Sequence, residues 1–299
     1  MRAAVVRTPG EGIQIIDVPT PAIGAGDIRV RVLAATVNPV DIQTARGTFH
    51  EIGWIDQPEH TGLGWDVAGE VTALGSDVHG LTVGTRVAAL SAGVDKPLGP
   101  YAEEVIVPTS AAAPLPAGLD PVEAATVPLN ALTASQALDL LGDPAGRTLL
   151  VTGAAGAVGG YAVRLGVARG WTVVGLGRPT DTATIEEAGA APATSLDEVS
   201  PVDATFDPAA LAEAALAVTR DGGHYVGVLP PLVPASERGI RTEAVDVHED
   251  AAELARLLRL TATGELPARV HAVAPLDEVN EVHEKVAGGG VRGRYVIVP

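Results

Sequence analysis

The sequence predicts an α/β protein in which a doubly wound parallel sheet accompanies a second, β-rich domain. Three observations carry that prediction. Between about residues 117 and 248, apolar runs alternate with Ala- and Leu-rich helical segments, the rhythm of strands and crossover helices in a sheet covered on both faces. Glycines 153, 156 and 159 directly follow one of those runs and open a helix, as a dinucleotide-binding turn does. Residues 1 to about 116 instead hold short strand-like pieces between Gly-rich turns, with no strong helical period before Pro108.

In the first segment, Ile28 to Val37 (IRVRVLAATV) alternates charged and apolar residues like a half-buried strand. Asp66 to Ala73, Arg86 to Leu90 and Ala102 to Val107 follow as further strands. Asp120-Pro121 starts a helix, Pro128 breaks it, and Leu129 to Leu141 continues as helix. Then come strand Thr148 to Thr152, helix Ala157 to Arg169, strand Thr172 to Leu176, a helix near Thr184 to Ala188 and strand Val202 to Phe206. Helix Ala209 to Thr219, strand His224 to Val228 and an edge strand Arg241 to Val247 complete the series. Helix Asp250 to Leu260 follows. Beyond Pro267 the texture turns β-like again, with a short helix Leu276 to Val286, a glycine turn at 288 to 290 and a closing strand Tyr295 to Val298. That texture suggests a return to the first domain.

Composition narrows the function classes. The chain has 299 residues and a formal charge of -17, and it lacks the Lys/Arg stripe that phosphate-backbone binding requires. A single phosphorylated ligand held by one or two arginines remains compatible. There is no cysteine, which removes disulfides, thiolate catalysis and sulfur-ligated zinc. No signal-like segment opens the chain and no 18-residue apolar run occurs, so a cytoplasmic location without a membrane span is expected.

The glycine turn, Thr148 to Arg164 (TLLVTGAAGAVGGYAVR), points to pyrophosphate bound at a helix N-terminus. An NAD-binding chain usually places Asp or Glu about 20 residues past the first glycine, where it takes ribose hydroxyls. Here that region reads Val173 to Thr180 (VVGLGRPT), without an acid and with Arg178. Arg178, with Thr180 beside it, suits a 2'-phosphate. Asp181 is the weaker candidate for a ribose contact.

Asn38-Pro39-Val40-Asp41 with Arg46-Gly47, Gly64 to Val71 (GWDVAGEV), Pro128 with Thr133-Ala134, the Gly153 to Gly159 turn, Gly222-Gly223 with Tyr225-Val226-Gly227, and Gly293-Arg294-Tyr295-Val296 together resemble the medium-chain dehydrogenase/reductases. The resemblance runs nearly end to end and is closest to their zinc-independent, NADPH-dependent quinone oxidoreductase branch. It implies a Rossmann-like nucleotide-binding domain over 117–248 and a GroES-like catalytic domain assembled from 1–116 and 249–299. It also implies cofactor contacts from Asn38, Thr126, Thr133, Gly153, Ala155, Gly156, Ala157, Val158, Gly159, Arg178, Thr180, Phe206, Gly227, Val228, Arg292 and Arg294, and a homodimer joined through the edge strand Arg241 to Val247.

The departures from the family pattern bear on chemistry. Val40 stands where the zinc-containing relatives carry their first ligand and Trp65 where they carry histidine, so no metal is expected. His50 and His60 lack a matched ligand spacing. Ala190 to Thr194 holds no Lys or Tyr for a 2'-phosphate, and Pro208-Ala209 stands where relatives more often have glycines. Without a Lewis acid, hydride goes most easily to an acceptor that delocalises the charge, a quinone or an α,β-unsaturated carbonyl. Asn38 is the leading polar group, either donating to substrate or cofactor or capping the turn at Pro39. Asp41 is not assigned as an acid. No tyrosine lies between Asn38 and Gly47, so water supplies the final proton in this reading. Phe49 and Trp54 either line an acceptor pocket or pack under a loop. Two other classes compete with the reductase: a zinc-free alcohol or carbonyl dehydrogenase, and a non-catalytic NADPH-binding redox sensor.

Overall fold

Alternation in the first long strand sets the plan of the β-rich part. The computed structural model describes residues 1–299, which divide into two units, Met1–Leu129 with His248–Pro299, and Asn130–Val247. The first unit begins with β1 (Arg2–Val6), β2 (Gln14–Asp17), β3 (Asp27–Thr36), α1 (Pro39–Arg46), α2 (Thr48–Glu51), β4 (Thr61–Gly62), β5 (Asp66–Leu74), β6 (Arg86–Leu90), β7 (Glu104–Pro108), β8 (Ala112–Pro114) and α3 (Pro121–Ala124). β3 pairs antiparallel with β5 and β7. Its Ile28, Val30 and Val32 are buried, while Arg29 and Arg31 reach Glu104 and Glu70 at 3.6 and 3.0 Å. Period-two alternation thus fixes which face enters the core.

The second unit takes up α4 (Pro128–Leu141) and continues through β9 (Thr148–Val151), α5 (Ala157–Arg169), β10 (Thr172–Leu176), α6 (Thr182–Glu187), β11 (Ala191–Ala193), β12 (Val202–Asp207), α7 (Glu213–Ala217), β13 (Thr219–Gly227) and β14 (Arg241–Ala244). Its six strands run parallel in the order β11-β10-β9-β12-β13-β14. The chain winds one way from β9 to β10 and the other way from β9 to β12. The switch point therefore lies at the C-terminal end of β9, where open α/β sheets bind ligands. After it, α8 (Ala251–Ala262), β15 (Val270–Pro275), α9 (Val279–Ala287) and β16 (Arg294–Val298) return to the first unit. There β16 lies between β15 and β3 in the main sheet. No helix is long and apolar enough to cross a membrane.

Several details differ from the sequence expectation: β1, β2 and β11 lie where it places no strand, the edge strand ends at Ala244 instead of Val247, and three further differences have evident causes. Helices α1 and α2 interrupt the early strands; α1 has eight residues and little amphipathicity, but Pro39 opens it and Asp41 in its first turn accepts the Asn38 N–H at 2.9 Å, a start signal that outweighs the weak period. The first unit extends to Leu129 instead of 116, because α3 packs on β3, β5 and β15. The helix expected from Ala209 shrinks to α7. Ala210 and Ala212 adopt φ of 54° and 50°, and the Ala212 N–H donates to Asp207 Oδ2 at 2.8 Å, which draws the backbone out of helical geometry.

Candidate active site

The turn after β9 is shaped by its glycines. Gly153 has φ +55°, a conformation that favours glycine. A Cβ on Gly159 would overlap the Gly153 carbonyl oxygen, and one on Gly156 would come within 3.0 Å of it. Small residues therefore let α5 start hard against the turn. Gly153, Ala155, Gly156, Ala157, Val158 and Gly159 lie together here, with the first turn of α5 carrying backbone N–H groups suited to a phosphate. The parallel register brings the ends of β10, β12 and β13 to the same edge, and with them Arg178, Thr180, Phe206, Gly227 and Val228. Phe206 is fully buried, and its carbonyl accepts the Thr152 N–H at 3.1 Å.

Beyond β10, Asp181 turns inward. Its side chain is 4% exposed and its Oδ2 accepts from Arg178 N at 3.0 Å and Nε at 3.1 Å, while the Arg178 side chain is 54% exposed. The loop thus presents a guanidinium outward and keeps its acid beneath. Thr133 is buried in α4.

In the first unit, sequence-distant residues build a buried polar cluster at the ends of β3 and β5. Asp66 is fully buried. Its Oδ2 accepts from Thr36 Oγ1 and, at 2.6 Å, from Asn38 Nδ2, and its Oδ1 accepts from Leu129 N at 2.6 Å. Asn38 Nδ2 also donates to Thr36 Oγ1 at 3.2 Å, and Arg294 Nε donates to Asn38 Oδ1 at 2.8 Å. Both N–H bonds of the Asn38 amide are thereby engaged within the chain. Asp41 accepts the Gly64 N–H at 2.9 Å, and Lys96 Nζ donates to the Gly64 carbonyl at 2.7 Å and to Ser91 O at 2.6 Å. The ammonium also lies 5.3 Å from the Trp65 ring centre, a cation–π distance. Tyr101 OH donates to Asp41 Oδ2 at 3.3 Å.

Burial governs the titration of this cluster. It raises Asp41 from 3.8 to about 6, against the lowering effect of the Asn38 and Gly64 N–H groups and of Lys96. It raises Asp66, opposed by the Leu129, Thr36 and Asn38 hydrogen bonds. It lowers Lys96 from 10.5 to about 8, opposed by Asp41 and Asp66.

Asn38 and Arg294 were singled out by sequence and lie in hydrogen-bond contact. Arg292 is exposed in the turn ahead of β16, two positions before Arg294. Thr126 lies between α3 and α4, where its hydroxyl donates to Glu123 O at 2.8 Å and accepts the Arg269 N–H at 3.1 Å. Lys96, Tyr101 and Thr36 were missed. Lys96 had one available signal, being one of only two lysines in the chain. Phe49 is buried and stacked on Trp54 with ring centres 5.7 Å apart, while Trp54 is 48% exposed.

Zinc does not fit the side chains present. Val40 lies in α1, Trp65 lies under Lys96, and no group of three His, Asp or Glu side chains could hold a metal ion.

Two family descriptions match: alcohol dehydrogenase GroES-like domain over residues 24–117 and zinc-binding dehydrogenase over 184–297. A quinone oxidoreductase structure from Coxiella burnetii superposes with a TM-score of 0.88 at 26% identity, covering 100% of this chain and 99% of that one. The 2-methylene-furan-3-one reductase of Solanum lycopersicum is 28% identical over 95% of this chain and 74% of its own length. The chloroplastic NADPH-dependent alkenal/one oxidoreductase of Arabidopsis thaliana is 30% identical over 76% and 61%. The chain spans 58% of the length of the first curated relatives it matches. With a GroES-like unit, a parallel nucleotide-binding sheet and full-length structural similarity, the chain belongs to the medium-chain dehydrogenase/reductase family of oxidoreductases.

Proposed function

We propose that this chain transfers a hydride from NADPH to a quinone or α,β-unsaturated carbonyl acceptor without a metal. The observation that carries the reading is a close-packed glycine turn at the sheet's switch point in a chain whose side chains form no metal-ligand group. Bound NADPH would supply the hydride. The first turn of α5 would receive the pyrophosphate, and the outward Arg178 guanidinium the 2'-phosphate, by a charge-assisted fork. The inward placement of Asp181 favours NADPH over NADH, since it leaves no outward carboxylate in this loop for ribose hydroxyls. The Arabidopsis relative, an NADPH-dependent alkenal/one oxidoreductase, supports the same assignment.

The acceptor class follows from electrostatics. An isolated ketone or an alcohol needs strong polarisation, whereas a conjugated acceptor spreads the incoming charge over its own atoms. In this reading Asn38, held between Asp66 and Arg294, is a positioning residue, and water delivers the final proton. Tyr101 does not serve as donor to the acceptor, being fully buried with its hydroxyl on Asp41. The test is NADPH oxidation across quinones, enones, simple ketones and aldehydes, beside alcohol oxidation with NADP, before and after chelation. Turnover confined to conjugated acceptors and insensitive to chelator is expected. Preferred alcohol oxidation, or loss of activity on chelation, overturns the reading.

A further inference from the structure

Asp207 is the last residue of β12 and is fully buried. Its carboxylate is shared between two pieces of backbone. Oδ1 accepts from Thr152 Oγ1, in the residue directly ahead of Gly153. Oδ2 accepts the Ala212 N–H at 2.8 Å and the Tyr225 hydroxyl at 2.7 Å. Thr152 is also fully buried, and its Oγ1 accepts the Ala209 N–H at 3.1 Å. One side chain thus grips both the entry to the glycine turn and the 208–212 loop beside it. Loop and turn are in contact, since a Cβ on Gly153 would lie 3.3 Å from the Ala209 Cβ.

The loop is held against its own preference. Ala210 has φ 54°, and Ala212 has φ 50° with ψ −117°, conformations that a Cβ disfavours. Pro208 to Ala217 (PAALAEAALA) is alanine-rich and, released, would wind into helix from Ala209. Backbone of this kind persists only where its surroundings over-determine it, and it gathers at functional sites. Burial, with Asp207 beside it, pushes the Tyr225 phenol well above its ordinary range, so that hydroxyl remains a donor to the carboxylate. We propose that Asp207 is a positioning residue for the dinucleotide: through Thr152 and the 208–212 loop it fixes the course of the glycine turn, and with it the N–H groups of the first turn of α5 that would receive the pyrophosphate. The proposal rests on the nucleotide-binding part of the reductase reading and is independent of the acceptor.

The probes are NADPH and 2'-phospho-ADP-ribose, which keeps the pyrophosphate and lacks the nicotinamide, titrated into the full chain by calorimetry. Asp207→Asn places an amide where the carboxylate accepts on both oxygens, and should weaken both probes about tenfold or more. Thr152→Val keeps the shape of threonine without its hydroxyl and should do the same. Thr152→Ser restores the hydroxyl and should bind within about threefold of the parent. In each variant the binding stoichiometry should stay at the parent's value, because a residue that only supports the fold would lower the competent fraction at unchanged Kd. If Asp207→Asn does not fold, the Thr152 pair decides the matter. Parent affinity in folded Asp207→Asn or Thr152→Val, a fall in stoichiometry alone, or equal weakening by Thr152→Ser and Thr152→Val overturns the proposal. A parent that shows this binding pattern but reduces no conjugated acceptor loses the reductase reading and keeps the positioning role, whereas a parent that binds neither probe overturns both.

Discussion

Arg294 Nε donates to Asn38 Oδ1 at 2.8 Å, joining residues 256 positions apart. The amide stands between a guanidinium and the Asp66 carboxylate, accepting from one and donating to the other. Asn38→Ala removes one hydrogen bond from the fully buried Asp66 carboxylate and one from the partly buried Arg294 guanidinium, and a loss of about 1–3 kcal/mol of stability is expected. Urea unfolding at unchanged m-value measures it. A midpoint equal to the parent's would show that the pair does not hold the cluster together.

Arg178→Ala should reduce kcat/KM for NADPH by about 10- to 100-fold, equivalent to about 1–3 kcal/mol for a charge-assisted contact, and should leave NADH use nearly unchanged. Parallel kinetics with the two cofactors decide it, and equal losses reject the 2'-phosphate assignment.

Gly159→Ala places a methyl group against the Gly153 carbonyl oxygen. NADPH affinity, read by fluorescence titration, should fall by more than tenfold, with Gly26→Ala as the control because nothing lies within 4 Å of a Cβ there. Unaltered affinity would remove the turn from the cofactor site.

Asp41 and Lys96 give stability a definite pH dependence. Between about pH 4 and 6 the folded chain keeps a proton on Asp41 that the unfolded chain has lost, so this group's contribution falls as pH rises. Between about pH 8 and 10.5 the folded chain has released the Lys96 proton that the unfolded chain retains, so stability recovers with rising pH. Denaturation midpoints of the parent minus those of Asp41→Asn should trace the first limb, and minus those of Lys96→Met the second. Flat difference curves in both windows would contradict the burial of this pair.

We propose a homodimer through β14, the open edge of the nucleotide-binding sheet. The Val245 N–H already donates to Gly227 O at 2.9 Å, so proline at 245 would damage the sheet itself. By alternation the Ala244 N–H faces outward. Ala244→Pro should therefore yield a folded monomer by light scattering and circular dichroism. A parent chain that is monomeric at micromolar concentration, or an undiminished Ala244→Pro dimer, sinks this interface.

The nucleotide-binding sheet was the more legible half of the molecule. The bounds of α5 and β10 follow directly from Ala157 to Arg169 and Thr172 to Leu176, because glycine punctuation and continuous apolar runs are local signals. The Ala209 segment misled, since its helical propensity is overridden by one hydrogen bond to Asp207. The Asn38 cluster was only half visible. Asn38 and Arg294 could be picked from motifs, but Lys96 and Tyr101 reach Gly64 and Asp41 across 32 and 60 positions, and neither periodicity nor spacing encodes contacts at that range.

Placing β16 between β15 and β3 has a consequence for synthesis on the ribosome. The 130–247 unit is contiguous and can acquire its whole sheet as it emerges, whereas Ala35 and Thr36 at the end of β3 stay unpaired on one side until residues 294–298 leave the exit tunnel. For most of translation the nascent chain therefore carries a short unpaired stretch at the end of β3, beyond the part that β7 covers from Asp27 to Arg31, and its two-residue length leaves little for a neighbouring chain to pair with.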